Sequence, residues 1–235
     1  YYEAWATYGE YRIESLIADD RSVRALKLEL DENQKKNLLS FLIYSTKEEN
    51  KTYLYDYFRD NCATRPRDIY SWLTGGEFEE KLKSTPSEET LRETVERHLS
   101  LSTFPVAWTI SYLLGPDTDK EETMWEACFL PSTLNACIKE YQESEDDIIY
   151  SSESRKSVPE KWSLKTRSIL MGLILIAISL LPLTKKRWVE RISDIILGII
   201  YLFFAVLSLV LLFFMLFTIH NVTKGNVNFL LISPL

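Results

Sequence analysis

The sequence predicts an α+β globular part followed by an α-helical transmembrane region. Three observations carry this reading. Residues 23–30, VRALKLEL, alternate apolar and charged side chains, the period-two pattern of a half-exposed strand. Asp31 then stands as an N-cap with Gln34 three positions on, opening an amphipathic helix in DENQKKNLLSFLIYS. Residues 168–183 and 195–219 contain no Asp, Glu, Lys, Arg or His; about 20 apolar residues cross the hydrocarbon core, which the second run exceeds and the first reaches only by using Thr166 or Thr184, with Arg167 and Lys185 snorkelling. The alternative for these runs is a pair of core helices in a large protein.

Taken in order, residues 1–16 mix aromatic and charged side chains without a clear period. The start, YYEAWATYGEY, reads as the interior of a domain, so the chain is expected to be a piece of a longer one. In the strand at 23–30, Leu26, Leu28 and Leu30 share one face while Lys27 and Glu29 share the other. A polar loop at 47–52 leads from the capped helix to Tyr53, Tyr55 and Tyr57, which alternate as on one face of a second strand. Asp60, Asn61 and Cys62 form a turn. From Pro66 the apolar residues Ile69, Trp72 and Leu73 recur at helical spacing until Gly75 and Gly76 end the run. Strand, helix, strand, helix describes a small α+β or α/β layer.

Residues 78–83 form a short polar helix that Thr85 and Pro86 break. Ser87 caps the next helix, SEETLRETVERHL, with Leu91, Val95 and Leu99 on one face. His98 lies beside that face and reads as a surface or core histidine. Residues 101–114 form an apolar helix in which Trp108 and Tyr112 pack, ended by Gly115 and Pro116. Asp117 and Asp119 in PDTDKEET lack the rest of a calcium loop and read better as a solvated acidic loop. Helical periodicity returns over 123–141, and 142–161 is acidic, Ser-rich and Pro-interrupted, as in a linker. The expected organisation is a globular domain at 1–141, a linker at 142–165 and a membrane region at 166–235. That region holds spans at about 167–184 and 195–219 and, in FLLISPL, the start of a third hydrophobic element.

The formal net charge is −7 and the basic residues form no long stripe, which argues against nucleic acid as a partner. No Gly-rich phosphate loop and no Cys/His metal constellation is present, so no cofactor is expected. Lys185, Lys186, Arg187 and Arg191 crowd the short connector between the spans, whereas Arg155, Lys156, Lys161, Lys165 and Arg167 precede the first span. The charge rule alone does not decide between them, but cation density favours the connector as the inside and the acidic part as the outside. Two spans return the chain to its starting side, so His220 and Cys62 share one side of the membrane. Cys128 and Cys137 are either a disulfide of an oxidising compartment or ordinary core residues.

Cys62 sits where a strand hands over to a helix. The free N–H groups at a helix start stabilise a thiolate, the nucleophilic form of cysteine, and Arg65 and Arg67 add to this if they turn toward the sulfur. The alternative is a small buried core residue. A nucleophile also needs a base close to it in space.

YDYFRDNCATRPRD, with the preceding RSVRALKLEL, the following GPDTD and FLP, and HNVTKGNVNFLLISPL after the second span, resembles the Lnb family, the lipoprotein N-acyltransferases of Bacteroidota. The resemblance covers most of the chain, and its sharpest motif is Asp60, Asn61, Cys62, Ala63, Thr64, Arg65. It implies a permuted papain-like (NlpC-type) periplasmic domain followed by transmembrane helices in the inner membrane. Cys62 would be the nucleophile, with Asn61 or a main-chain N–H near Cys62 at the oxyanion. Thr64, Arg65 and His220 would lie on the substrate side, Arg65 holding a phosphate or a structural carboxylate. The partners would be membrane phospholipid and bacterial lipoproteins. The histidine such a domain carries before its cysteine is absent, since no residue before Cys62 is a histidine, which fits a domain whose N-terminal part is missing or is supplied by a separate stretch. Pro66 also departs from the family pattern, in which an apolar residue is usual. Two rivals stand beside this reading, an NlpC-like cysteine peptidase or amidase acting on cell-wall peptides and a non-catalytic membrane subunit.

Overall fold

The computed structural model describes residues 2–4, 6–102, 105–159, 164–184, 186–218 and 221–231. Its regular elements in chain order are β1 (Tyr2–Glu3), α1 (Gly9–Ala18), β2 (Val23–Ala25), α2 (Glu32–Ser45), β3 (Thr52–Tyr53), α3 (Thr64–Leu73), α4 (Glu77–Lys83), α5 (Leu91–His98), α6 (Val106–Leu113), α7 (Met124–Ala127), α8 (Pro131–Gln142), β4 (Asp147–Tyr150), α9 (Leu164–Leu180), α10 (Arg187–Phe217) and α11 (Asn228–Leu231). They gather into two compact units. One is Tyr1–Glu88 with Glu121–Ser157, the other Glu89–Lys120 with Val158–Leu235.

The first unit mixes helices with two small antiparallel pairs, β1 with β3 and β2 with β4. The alternation over 23–30 pairs only along Val23–Ala25, against Asp147–Tyr150. Beyond it Leu26, Leu28 and Leu30 still turn toward the core, so the face is as expected although the ladder is short. The capping box at Asp31 forms: its carboxylate accepts from the N–H groups of Asn33 and Gln34, while Gln34 Oε1 accepts from Asp31 N–H at 2.8 Å. Gln34 Nε2 also donates to Leu73 O at 2.7 Å, fastening α2 to the end of α3. Gly75 and Gly76 come next with φ of +68° and +90°, a region that glycine enters without steric cost.

The core of this unit is built from Tyr70 of α3, Phe78 and Leu82 of α4, Trp125 of α7, and Leu134 and Ile138 of α8. Cys128 and Cys137 lie in the same cluster as free, buried thiols. Their mutual hydrogen bond and their burial push the Cys128 thiol up. Of the two alternatives open in the sequence, the structure has core residues rather than a disulfide. The single helix expected over 123–141 is two, because Pro131 starts α8 after the chain leaves α7 at Cys128.

The stretch read as a linker is fastened to the unit. It supplies β4, and Asp20 accepts from Tyr150 Oη at 2.8 Å, from the N–H groups of Glu153 and Ser154, and from Ser154 Oγ. Asp146 accepts from Lys139 Nζ at 2.6 Å and Asn135 Nδ2 at 3.2 Å. The Ser154 and Tyr150 hydroxyls hold the Asp20 carboxyl well below its usual range. Lys139, and then Asn135, bring Asp146 down to about 2. A lowered carboxylate pKa contributes stability that is present above the ordinary value and lost as the pH falls through the folded one. Deuterium uptake by the peptide 146–155 is therefore expected to rise between about pH 4 and pH 2, relative to a peptide from α2.

In the second unit α5 is capped by Thr90 and Glu93, not by Ser87. Ser87 N–H donates instead to Glu122 O at 2.9 Å, beside the bridge between Pro86 and Thr123. The expected helix over 101–114 begins only at Val106, and a separate 3-10 turn occupies Leu99–Leu101. His98 Nδ1 is 2.8 Å from Thr94 O, a carbonyl of its own helix. Asp117 pairs with Lys120, and Asp119 with Arg92. Two helices, Thr166–Thr184 and Arg187–Phe217, are long and apolar enough to cross a membrane, with mean hydropathies of 2.0 and 3.0. Ser193 Oγ donates to Ile178 O at 2.8 Å and joins them. After α10 the chain returns to the end of α6, where Gly115 N–H donates to Val222 O at 2.6 Å. A Cβ on Gly115 would lie 2.6 Å from Lys224 O, so only glycine leaves room for this approach. The stretch expected to open a third hydrophobic element holds the four-residue α11, and residues 232–235 lie outside the described residues.

Candidate functional site

Residues 53–65 build the site in the first unit. Tyr53 is held in register by Tyr2 across the β1–β3 pair, and Tyr2 stacks on Tyr55 with ring centroids 4.3 Å apart. The second strand, expected to run through Tyr57, stops at Tyr53. Asp56 is the cause: its Oδ1 accepts from the N–H groups of Phe58 and Arg59, and its main chain exchanges two hydrogen bonds with Asp60. The chain thus reverses in an Asx turn. Phe58 is buried edge-on against Phe129, at 4.9 Å.

Asn61 organises the rest of the turn. Its Oδ1 accepts from Ala63 N–H at 2.7 Å and Thr64 N–H at 2.9 Å, so it caps α3 from three residues upstream. Its Nδ2 donates to Tyr57 O at 2.8 Å and Phe129 O at 3.0 Å. Asn61 N–H donates to Thr64 Oγ1 at 2.7 Å, and Thr64 is fully buried. Asn61 is 4% exposed. Both its amide hydrogens are engaged by main-chain carbonyls, so the structure gives it the work of shaping the turn in place of donating to an oxyanion.

Pro66, expected at the first position of the helix, stands further in, because α3 begins at Thr64. Arg65 N–H already donates to Asn61 O, while Pro66 has no N–H to offer Cys62 O. Proline is tolerated here because the first N–H groups of a helix have no partner within it. Cys62 therefore lies between the capping side chain and the first full turn. It is exposed, while its neighbours Asn61, Ala63 and Thr64 are buried. The reading of Cys62 as a buried core residue does not hold.

Both arginines are occupied. Arg65 meets Asp60 through Nε at 2.6 Å and Nη2 at 2.9 Å, and its guanidinium lies 3.5 Å from the Tyr53 ring centre. Of the two roles open to Arg65, the structure shows the carboxylate clamp. Arg67 is buried, donating to Trp125 O at 2.8 Å and to Asp68, with its guanidinium 3.9 Å from the Trp125 ring centre. Tyr53 and Tyr55 lie in the electrostatic range of Cys62. Burial first, and for Tyr55 the neighbouring sulfur next, push these phenols up, so they stay protonated hydrogen-bond donors near neutral pH.

The Asp60–Arg65 clamp is about two-fifths exposed on both sides. Arg65→Ala is accordingly expected to cost only about 1 kcal/mol, a fall of roughly 2–4 °C in thermal midpoint for a protein of this size. Scanning fluorimetry of the full chain in micelles checks it.

The structure thus brings Cys62, Asn61, Thr64 and Arg65 into one turn; His220 lies outside the described residues. Asp56, Tyr2 and the Phe129 carbonyl complete the turn, and the sequence alone does not single them out. The local signal for Asn61 is present in the sequence, since Asn followed three positions later by Thr is a capping pattern. Neither a curated protein nor a solved structure matches the chain. Residues 2–97, which contain the whole of this turn and α3, match the family model of the Lnb N-terminal periplasmic domain, and to that domain this part of the chain is similar.

Proposed function

We propose that the chain is a membrane-anchored acyltransferase of the Lnb type, with Cys62 as its nucleophile. The observation that carries this reading is the contrast at the turn: a single exposed thiol on a frame whose other members are buried and hydrogen-bonded. The similarity of residues 2–97 to a periplasmic Lnb domain and the two apolar helices support it. Acyl donor and acceptor both keep their chains in the bilayer, so a site tethered there meets them at high effective concentration.

In this reading Cys62 Sγ attacks the carbonyl carbon of an acyl ester on a phospholipid or on a lipoprotein's diacylglyceryl group. The S–C bond forms as the C–O bond breaks, and the thiol proton passes through a base to the departing alkoxide. The free α-amine of the lipoprotein's N-terminal cysteine then attacks the thioester; an amide forms, the amine loses a proton, and the thiol is restored. Asn61 and Thr64 position the sulfur. The main-chain N–H of Cys62, with the Tyr53 and Tyr55 phenols, supplies donors for the oxyanion, since the N–H groups of Ala63, Thr64 and Arg65 are already bonded to Asn61.

The test is acyl labelling in membranes with a radiolabelled phospholipid, comparing the wild-type chain with Cys62→Ser. A label released by neutral hydroxylamine and absent from Cys62→Ser is the expected result. If a thiol reagent modifies Cys62 but no acyl group is ever trapped, the acyltransferase reading fails and a cysteine peptidase takes its place.

A further inference from the structure

Helix α6 belongs to the same compact unit as the apolar helices. It contains no charged residue, and it packs lengthwise on α10. Trp108 meets Phe204 edge-on at 5.1 Å, Tyr112 is buried with Leu207 and Leu211, and the Tyr112 hydroxyl is 3.0 Å from Ser208 Oγ. Trp108 with Phe204 and Tyr112 with Ser208 set the two helices running the same way. At about 1.5 Å per residue, Leu211 lies about 9 Å and Phe204 about 20 Å short of the end of α10 at Phe217.

That part of α10 is apolar on its other sides too, with Val206, Leu209, Phe213 and Leu216 between 52% and 65% exposed. The charge-free stretch 195–217 would be about 34 Å long, close to the roughly 30 Å of a hydrocarbon core. The amino end of α6 points to its deeper part, and there Val106 and Leu101 are 39% and 48% exposed. Both are apolar side chains left open to the surroundings at that end of α6.

The other end of α6 is finished as hydrocarbon requires. Non-helical backbone at membrane depth must find its hydrogen bonds within the protein. Asn226, 2% exposed, donates Nδ2 to Tyr112 O and Leu114 O at 2.8 and 2.9 Å; Asn228 Nδ2 adds a bond to Tyr112 O, and Arg92 Nη2 one to Leu114 O. The ionic groups of α5 are also engaged: Arg97 with Glu89, Arg92 with Asp119, and Glu96 with the Ser111 hydroxyl. Pairing is what charged side chains beside hydrocarbon require.

We infer that α6 and the 3-10 turn at Leu99–Leu101 are immersed in the outer leaflet as a half-inserted shelf beside α10, with phospholipid acyl chains covering Leu101 and Val106. This rests on the outward placement of the first unit and not on the chemistry of Cys62. Spin labels at Leu101→Cys and Val106→Cys, in full-length Cys62→Ser protein in vesicles of phosphatidylethanolamine and phosphatidylglycerol, test it. Phe213→Cys provides the lipid-facing reference and Lys120→Cys the aqueous one; Cys128 and Cys137 are buried. At both shelf positions the ratio of collisions with oxygen to those with a water-soluble nickel chelate should match Phe213→Cys and exceed Lys120→Cys severalfold. A ratio matching Lys120→Cys at both positions overturns the inference. Since no activity is read, the outcome is separate from the fate of the proposed thioester.

Discussion

Cys62→Ala is expected to lower acyl transfer by at least about 10⁴-fold, roughly 5 kcal/mol of barrier, as removal of a covalent nucleophile does. Stability should stay within about 0.5 kcal/mol, because the side chain is exposed. The two readouts together identify a nucleophile, since loss of activity accompanied by unfolding would report only a damaged turn. Cys62→Ser should be as inactive as Cys62→Ala: a serine hydroxyl is far less acidic than a thiol and does not ionise near neutral pH. Single-turnover acylation by rapid quench, paired with the thermal midpoint of the same preparation, is the measurement. Retention of even a tenth of the wild-type rate in Cys62→Ala would remove Cys62 from the chemistry.

Asn61→Ala is expected to destabilise the first unit by about 2–4 kcal/mol. Loss of the cap contributes about 1 kcal/mol, and leaving the Tyr57 and Phe129 carbonyls short of donors at a buried site adds about 1 kcal/mol or more for each. Asn61→Asp separates the contributions. It keeps an acceptor for the Ala63 and Thr64 N–H groups but sets a carboxylate oxygen against two carbonyl oxygens, so it should do no better than alanine. Chemical denaturation of the full chain in micelles gives both values. Wild-type stability in Asn61→Asp would show that the donor half of the side chain contributes nothing.

How much can be read from the sequence depends on the range of the forces involved. The capping box of Asp31 and Gln34, the glycine stop after α3 and the two apolar helices depend on neighbours within a few residues, and each appears as expected. The Tyr53, Tyr55, Tyr57 alternation gives the wrong length because the Asp56 side chain captures the turn before the third tyrosine can pair. Ser87 has the composition of a cap, but its main chain is drawn to Glu122, far along the sequence. The acidic stretch after α8 looks unable to bury anything, yet its Ile148 and Tyr150 find β2 and its Ser154 finds Asp20. At the site, the position of Cys62 between strand and helix is legible. The Arg65 clamp stays open between two partners, and the second anchor of Asn61 is invisible because Phe129 lies 68 positions away.

The division of the chain into units has a consequence for how the protein is made. Residues 89–120, part of the second unit, interrupt the first, and two of the closures of the first unit wait for late residues: β2 for β4 and Asn61 for Phe129. With synthesis at about 5–20 residues per second, Asn61 waits some seconds before its partner emerges. Non-local closures of this kind are slow to form. The turn that carries Cys62 therefore sets late, when the chain has reached α8 and only β4 and the stretch after it separate it from the first apolar helix. The thiol comes into position at about the time the protein acquires its anchor.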